Sequence, residues 1–346
     1  MAMKIDSLHK SIILELVKMK FPTTDTKSGR PIKCSNSDYL DAMFYVLKEG
    51  IGWDYLKGFA VKGNTVRQKF KKWSEAGIFK SAWVILVHLY KEFKIDFDDL
   101  FVDASHIKNY NGVDMVGKNL YDRFRKSTKL SIITDDIGTP ISIKCCPGNV
   151  HDIKMVIDLL DNVPFEFDHY HTQYLIADKG YVGKELEKDI LKKNYLKLIT
   201  PTKRTKEQVK KDKERIKKLN SVKRKLNDKI KKNDMDNKIL SKLPKYNRDK
   251  KKILENIKKN RRVIKELNKE KKRLEKKKKK RGRKTLKEKK LLKRFIVEHS
   301  FSWFKKYTRL RIRKDKFYTN FESFIFFGAS NIVSCKLKNF LGKCVK

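Results

Sequence analysis

Three acidic residues stand where carboxylates can do metal chemistry. Asp103 closes the short apolar run 100–102, Asp178 closes a second at 174–177, and Glu298 lies in a largely apolar stretch of an amphipathic helix expected over 286–306. On neighbouring strands about 5 Å apart, the two Asp side chains would meet at one edge of a sheet, which is where sites sit in open α/β sheets. Carboxylates are the hard donors that Mg²⁺ or Mn²⁺ prefers. Two such ions, roughly 4 Å apart, activate an oxygen nucleophile and stabilise a leaving 3′ oxygen, the needs of phosphodiester cleavage and strand transfer. Asp103 is expected to bridge both ions, Asp178 to hold one and Glu298 the other. A single Asp at a strand end is more often a turn or a helix cap; two on matching ends point to a site. His151-Asp152 is a rival constellation, either a general base or metal pair or simply a helix start.

These residues need elements to carry them. Apolar spacing predicts helices over 7–19, 35–48, 65–74 and 79–93, the second opened by a Ser35-x-x-Asp38 capping signal. In the third, Val66, Phe70 and Trp73 point inward while Arg67, Lys69, Lys71 and Lys72 point largely outward. A basic helix among short helices suits a helix-turn-helix, or a small packed domain without DNA. From residue 98 the pattern turns to strands at 100–103, 129–134 and 140–146, the last two joined by an Asp135-Asp136-Ile137-Gly138 hairpin turn. Helix 151–160, strand 174–177, helix 183–194 and strand 196–200 follow. The order suits a mixed sheet with helices on its faces.

The chain has 346 residues and a net charge of +45. Residues 203–293 hold 43 Lys and Arg against 12 Asp and Glu. Within them, thin apolar stripes (Ile216, Leu219, Leu226, Ile230; then Ile253, Ile257, Ile264, Leu267, Leu274) flank Pro244 and predict a helical hairpin. The run 276–284 is too charged to bury anything and has the look of a nuclear-localisation signal. Such a field attracts a polyanion, with nucleic acid first, and Arg309, Arg311, Arg313 and Lys314 add to it; the bland alternative is a solvated compositional bias. Five cysteines without a C-x-x-C pair suit a reducing compartment. No apolar run approaches about 20 residues, and residues 1–20 lack a signal-peptide layout. A soluble intracellular protein is expected, in the cytoplasm or nucleoid, or in the nucleus if the host is eukaryotic or viral.

Several segments carry a family resemblance. They are Gly29-Arg30-Pro31, the block 42–50, Trp53 and the block 71–77; then Val102-Asp103-Ala104-Ser105; Thr128-Lys129, Asp135, Gly138 and Pro140; the block 147–152; Ala177-Asp178-Lys179-Gly180-Tyr181; and Arg294-Phe295-Ile296-Val297-Glu298 with Phe301, Trp303 and Lys305. Together they resemble bacterial insertion-sequence DDE transposases of the tyrosine-arginine-glutamate-lysine signature group, over residues 25–202 and 286–333. The resemblance implies an α/β fold: a ribonuclease-H-like mixed sheet with flanking helices, an N-terminal all-α domain and, here, a long Lys-rich helical insertion. It supports Asp103, Asp178 and Glu298 as the catalytic, metal-binding triad, and it implies that Arg294 and Lys305 contact DNA near the cleaved end. Two departures stand out. The signature tyrosine falls at Leu291, and the insertion is longer than expected.

The expected divisions are 1–95, a helical DNA-binding domain using Arg67, Lys71 and Lys72; 96–202 and 286–346, the catalytic domain; and 203–285, the insertion, either a DNA clamp or a solvated extension. Tyr181 either stacks on a base, facing DNA, or packs inside. Lys306 could serve in place of Lys305. The expected partner is double-stranded DNA, at the element ends and the target, with no membrane; synapsis of two ends suggests a homodimer. The expected activity is cleavage and joining of the element's own ends. A catalytically silent DNA-binding descendant and a nonspecific metal nuclease are the alternatives.

Overall fold

The computed structural model describes residues 5–22, 34–94, 97–120, 122–167, 171–202, 206–242, 249–275 and 285–344. The Gly29-Arg30-Pro31 motif, the turn at Pro244 and the basic run 276–284 lie outside them.

The first helices are α1 (Ser7–Lys20), α2 (Asn36–Glu49), α3 (Gly63–Glu75) and α4 (Ile78–Phe93). Asp6 caps α1 through Leu8 N, and Ser35 and Asp38 close a reciprocal capping box on α2. In α3, Val66, Phe70 and Trp73 are buried while Arg67, Lys71 and Lys72 are exposed. The sheet then opens with β1 (Asp99–Asn109), β2 (Gly117–Lys118), β3 (Lys126–Thr134) and β4 (Pro140–Pro147). It continues through α5 (Ile153–Asp161), β5 (Gln173–Ala177), α6 (Lys184–Asn194) and β6 (Leu196–Ile199). β1 runs antiparallel to β3, and β3 to β4, while β5 and β6 lie parallel to β1. The result is a mixed α/β architecture around a mixed sheet in the order β2-β3-β1-β5-β6, with β4 on β3.

Two long helices follow, α7 (Lys206–Lys242) and α8 (Asp249–Glu275). The chain divides into two compact units, Met1–Pro201 with Lys284–Lys346, and Thr202–Arg283. In the second unit α7 packs on α8, and only a thin seam is dry: Val222, Leu226, Ile257 and Asn260 are buried, while Ile216 and Ile230 are exposed. Asn260 Nδ2 donates to Asp236 Oδ2 at 3.3 Å; a polar residue in an apolar seam favours one register over its neighbours.

The first unit resumes with α9 (Leu286–Leu292), α10 (Phe295–Phe304), α11 (Thr308–Arg311), β7 (Ile312–Arg313) and α12 (Tyr318–Cys344). The segment 286–306, read as one helix, is broken at Lys293-Arg294. α12 escapes a periodicity reading because it is apolar nearly all round: Phe321, Phe324, Ile325, Phe326 and Phe327 are all buried. It packs along α4, and Phe70, Phe79 and Phe324 stack at its side. Helices α1–α4, the sheet and α12 share one hydrophobic core.

Two arginines counted towards a nucleic-acid surface serve this core instead. Arg313 is wholly buried, with Nη1 donating to Asp114 O at 2.6 Å and to Thr128 Oγ1 at 3.0 Å. Arg309 is buried against Asp315, donating at 3.0 and 2.6 Å. A buried cation needs such a partner, and neither head group is presented to solvent.

Candidate active site

Parallel pairing sets the site. Val102 of β1 lies opposite Ala177 of β5, so Asp103 and Asp178 are the next residues along, side by side where β5 ends. Side-chain alternation sends both to the same face of the sheet. Asp178 is extended (φ −73°, ψ 172°) and leads into a short 3₁₀ turn over Lys179–Tyr181. Asp103 Oδ1 accepts from Ala104 N at 2.8 Å. Burial raises the Asp103 carboxyl from the ordinary 3.8 to about 6; the charges of Asp178 and Asp152 add to the rise, and Arg294 and the Ala104 N–H oppose it.

The third acid arrives from far along the chain, and four contacts bring it back. Thr285 and Glu288 form a capping box that starts α9. From α9, Lys290 pairs with Asp99 at the start of β1 and lies 3.9 Å over the Tyr174 ring, and Lys293 Nζ reaches Asp99 Oδ2 at 3.2 Å. On α10, Ser300 Oγ donates to Gly138 O at 2.8 Å in the hairpin turn, while Val297, Phe301 and Phe304 are buried. Gly138 has a φ of +82°, and an added Cβ would come within 2.7 Å of Ser300 Oγ. The turn therefore needs glycine both for its backbone and for the helix seated on it.

Glu298 lies in the first turn of α10. Arg294, at that helix's start, joins the acids: Nη1 bonds Asp178 Oδ1 and Nη2 lies 3.5 Å from Glu298 Oε1. A guanidinium of the chain itself thus links two of the three carboxylates. Among the described residues no three His, Cys, Asp or Glu side chains form a ready cage for an ion. The donor chemistry nonetheless suits a hard cation. The acids offer carboxylate oxygens alone, and Asp178 and Glu298 are about half exposed (47% and 59%).

A family model described as "Transposase DDE domain" matches residues 96–332. This chain belongs to the DDE transposase family. A second model, described as "Putative transposase of IS4/5 family", matches residues 13–83 of the same chain. No curated protein matches it. Among solved structures, this DDE family member is similar to the piggyBac transposase synaptic complex with hairpin DNA (12% identity, TM-score 0.34, 58% of this chain and 50% of that one). It is also similar to the Mos1 transposase paired-end complex with the left transposon end (15%, 0.21, 53% and 64%) and to the Mos1 mariner paired-end complex with Mn (15%, 0.21, 53% and 65%). The match thus spans half to just under two thirds of those proteins.

The remaining residues of this DDE family member separate clearly. Tyr181, read as facing DNA or packing inside, packs inside: it is 2% exposed, and burial together with the charges of Asp152, Asp103 and Asp178 raises its hydroxyl. It cannot stack on a base in this conformation. Lys305 ends α10 exposed and lines a cavity of about 470 Å³ with Ser105 and His106, so it sits beside β1 rather than on the acids. Arg67, Lys71 and Lys72 make no described contact with the acids. Asp152 makes no side-chain cap to α5; it pairs with Lys129 Nζ at 2.7 Å. Lys129 is itself nearly buried and also donates to Val150 O at 2.6 Å. A lysine inside an apolar strand demands such a partner, which together with its place in the Thr128-Lys129 segment was its signal in the sequence.

Proposed function

We propose that the chain is a transposase whose Asp103, Asp178 and Glu298 carry out metal-dependent strand cleavage and strand transfer at the ends of its own mobile element. One observation carries the reading: Asp103 and Asp178 stand side by side on β1 and β5, and Arg294 ties Asp178 to Glu298. The strand order β4-β3-β1-β5-β6, three antiparallel strands and then two parallel ones, supports a ribonuclease-H-like catalytic fold.

Mg²⁺ or Mn²⁺, as two ions, would be held by the three carboxylates, and would supply an activated oxygen nucleophile and stabilisation of the leaving 3′ oxygen. The chain's own residues prepare for this. Burial makes ionised Asp103 costly, so a divalent charge at its side relieves a desolvation already imposed by the fold. Arg294 pairs with Asp178 and Glu298 in the free chain; once released from them, its planar fork suits a phosphate of the DNA end. Lys305 extends the same path along β1, and Arg67, Lys71 and Lys72 give α3 a basic face for duplex DNA. Both α3 and α4 pack on α12, within the unit that holds the acids. The basic hairpin of the second unit, a DNA clamp in this reading, adds sequence-independent affinity. Two ends must be held at once, which fits a homodimer.

The test is cleavage of a supercoiled plasmid carrying the reading frame with its flanking DNA, in Mg²⁺. The expected result is cutting at the two flanks, lost in Asp178→Ala and Glu298→Ala with DNA binding retained. Full cutting by Asp178→Ala refutes the assignment.

A further inference from the structure

Beyond the acids, β1 continues towards a part of the surface that no catalytic role accounts for. Two cavities meet there. The 470 Å³ cavity begins at Ser105, two residues past Asp103, and takes in Lys305, Arg311 and Lys108. A second, of about 240 Å³, is lined by Lys108, Tyr110, Arg125 and Lys126. They share His106, Lys108 and Ile312, and among the described residues the only acid lining either is Asp122. Lys108, Arg125, Lys126, Lys305 and Arg311 are exposed, and among the described residues none of them forms an ion pair. From Asp103 to Lys108 the strand climbs about 17 Å and the two side chains fall on opposite faces, so this cationic track lies well beyond the acids and is separate from them.

The track ends on a pinned hairpin tip. Its base is fixed: Asn119 N donates to Arg125 O at 2.9 Å, Arg125 N to Asp122 O at 2.9 Å, and Thr128 Oγ1 to Met115 O at 2.9 Å. On this base two consecutive non-glycine residues, Arg123 (φ 49°) and Phe124 (φ 58°), adopt left-handed backbone, which L side chains rarely do. Two apolar side chains of the tip are nevertheless held out: Phe124 is 62% exposed and Leu120 65%. Exposed apolar groups beside the exposed cations Arg123, Arg125 and Lys126 are a combination that inserts between base steps while lysines and arginines hold the phosphates.

We propose that this surface docks target duplex DNA, with Lys108, Arg125 and Lys126 on the backbone and Phe124 with Leu120 wedged into a base step. The charge selects the occupant: a second copy of a chain carrying +45 would bring like charge to a cationic track, whereas a duplex brings phosphates. Phosphate contacts and a wedge recognise deformable steps without reading base edges, which fits target DNA rather than an element end known by its sequence. The inference rests on the transposase reading, but it needs only binding and no cleavage.

The assay uses the full chain in the Asp178→Ala background and a random-sequence duplex with 2-aminopurine at a central TA step. The expected result is a rise in 2-aminopurine fluorescence on binding. It is lost in Phe124→Ala/Leu120→Ala, a pair of exposed positions whose circular dichroism and salt-dependent affinity stay those of the parent. Lys108→Ala/Arg125→Ala/Lys126→Ala should lower the slope of log affinity against log salt by about 0.9 per lost phosphate contact. Undiminished fluorescence in the tip variant overturns the wedge even where the plasmid cleavage above succeeds. A tip variant that instead turns a dimer into a monomer, with fluorescence intact, assigns the tip to a second copy and also overturns it. Failure of the parent to bind any duplex overturns both this inference and the transposase reading.

Discussion

Replacing Asp103 with Asn should stabilise the metal-free chain while abolishing cleavage, and the size of the gain follows from the site. Burial lifts the Asp103 carboxyl from 3.8 to about 6, with the Asp178 and Asp152 charges adding to it. A carboxyl whose folded pKa is raised favours the folded state in its protonated form. That contribution is complete below pH 3.8 and is lost as pH rises through 6. At about 1.4 kcal/mol per pH unit, roughly 3 kcal/mol has gone by pH 7.5. The amide introduced by Asp103→Asn keeps an oxygen for the Ala104 N–H and carries no charge, so the variant does not suffer this loss. In EDTA, urea unfolding followed at several pH values should give Asp103→Asn an advantage of about 3 kcal/mol at pH 7.5 that shrinks to nothing near pH 4. Added Mg²⁺ should then stabilise the parent and leave the variant unchanged. An advantage independent of pH, or none at pH 7.5, would refute the claim that the fold holds Asp103 in a desolvated place awaiting a cation.

Other consequences are independent of that one. Gly138→Ala, which forces a Cβ against Ser300 at φ +82°, should cost about 1–3 kcal/mol in thermal unfolding; Ser300→Ala should cost about 1 kcal/mol, and both should slow cleavage by shifting the Glu298 helix. Arg313→Met should destabilise the chain by about 1–3 kcal/mol, because it leaves buried acceptors such as Asp114 O and Thr128 Oγ1 without a donor, and should not change the salt slope of DNA binding. Shortening residues 203–283 to a brief linker should leave the other unit folded, since each unit has its own packing, and should flatten the salt slope; an unchanged slope removes the clamp role from the basic hairpin.

The two aspartates were legible because β strands announce themselves by apolar runs, and both runs end in an acid. Their pairing is then a matter of register, and Val102 does lie opposite Ala177. The α3 face was legible for the same reason, as Val66, Phe70 and Trp73 mark the buried side by spacing alone. Glu298 was harder. Its approach depends on Ser300 finding the Gly138 carbonyl and on Lys290 finding Asp99, contacts across more than 150 residues that no local pattern encodes. Arg309 and Arg313 misled because a lone arginine reads as surface charge; only the fold supplies the buried Asp315 and the Asp114 backbone that absorb them. α12 was missed for the opposite reason, since a helix apolar on all sides has no stripe to detect.

The central claim is that Asp103, Asp178 and Glu298 share a divalent-metal site once Arg294 lets go. Fe²⁺-directed oxidative cleavage of the polypeptide tests it directly, because a bound iron cuts the chain beside its own ligands. Cuts next to residues 103, 178 and 298, all suppressed by excess Mg²⁺ and strengthened in Arg294→Gln, are the predicted result. Cuts elsewhere, for example beside Asp114 or Asp135-Asp136, or a pattern indifferent to Mg²⁺, would contradict it.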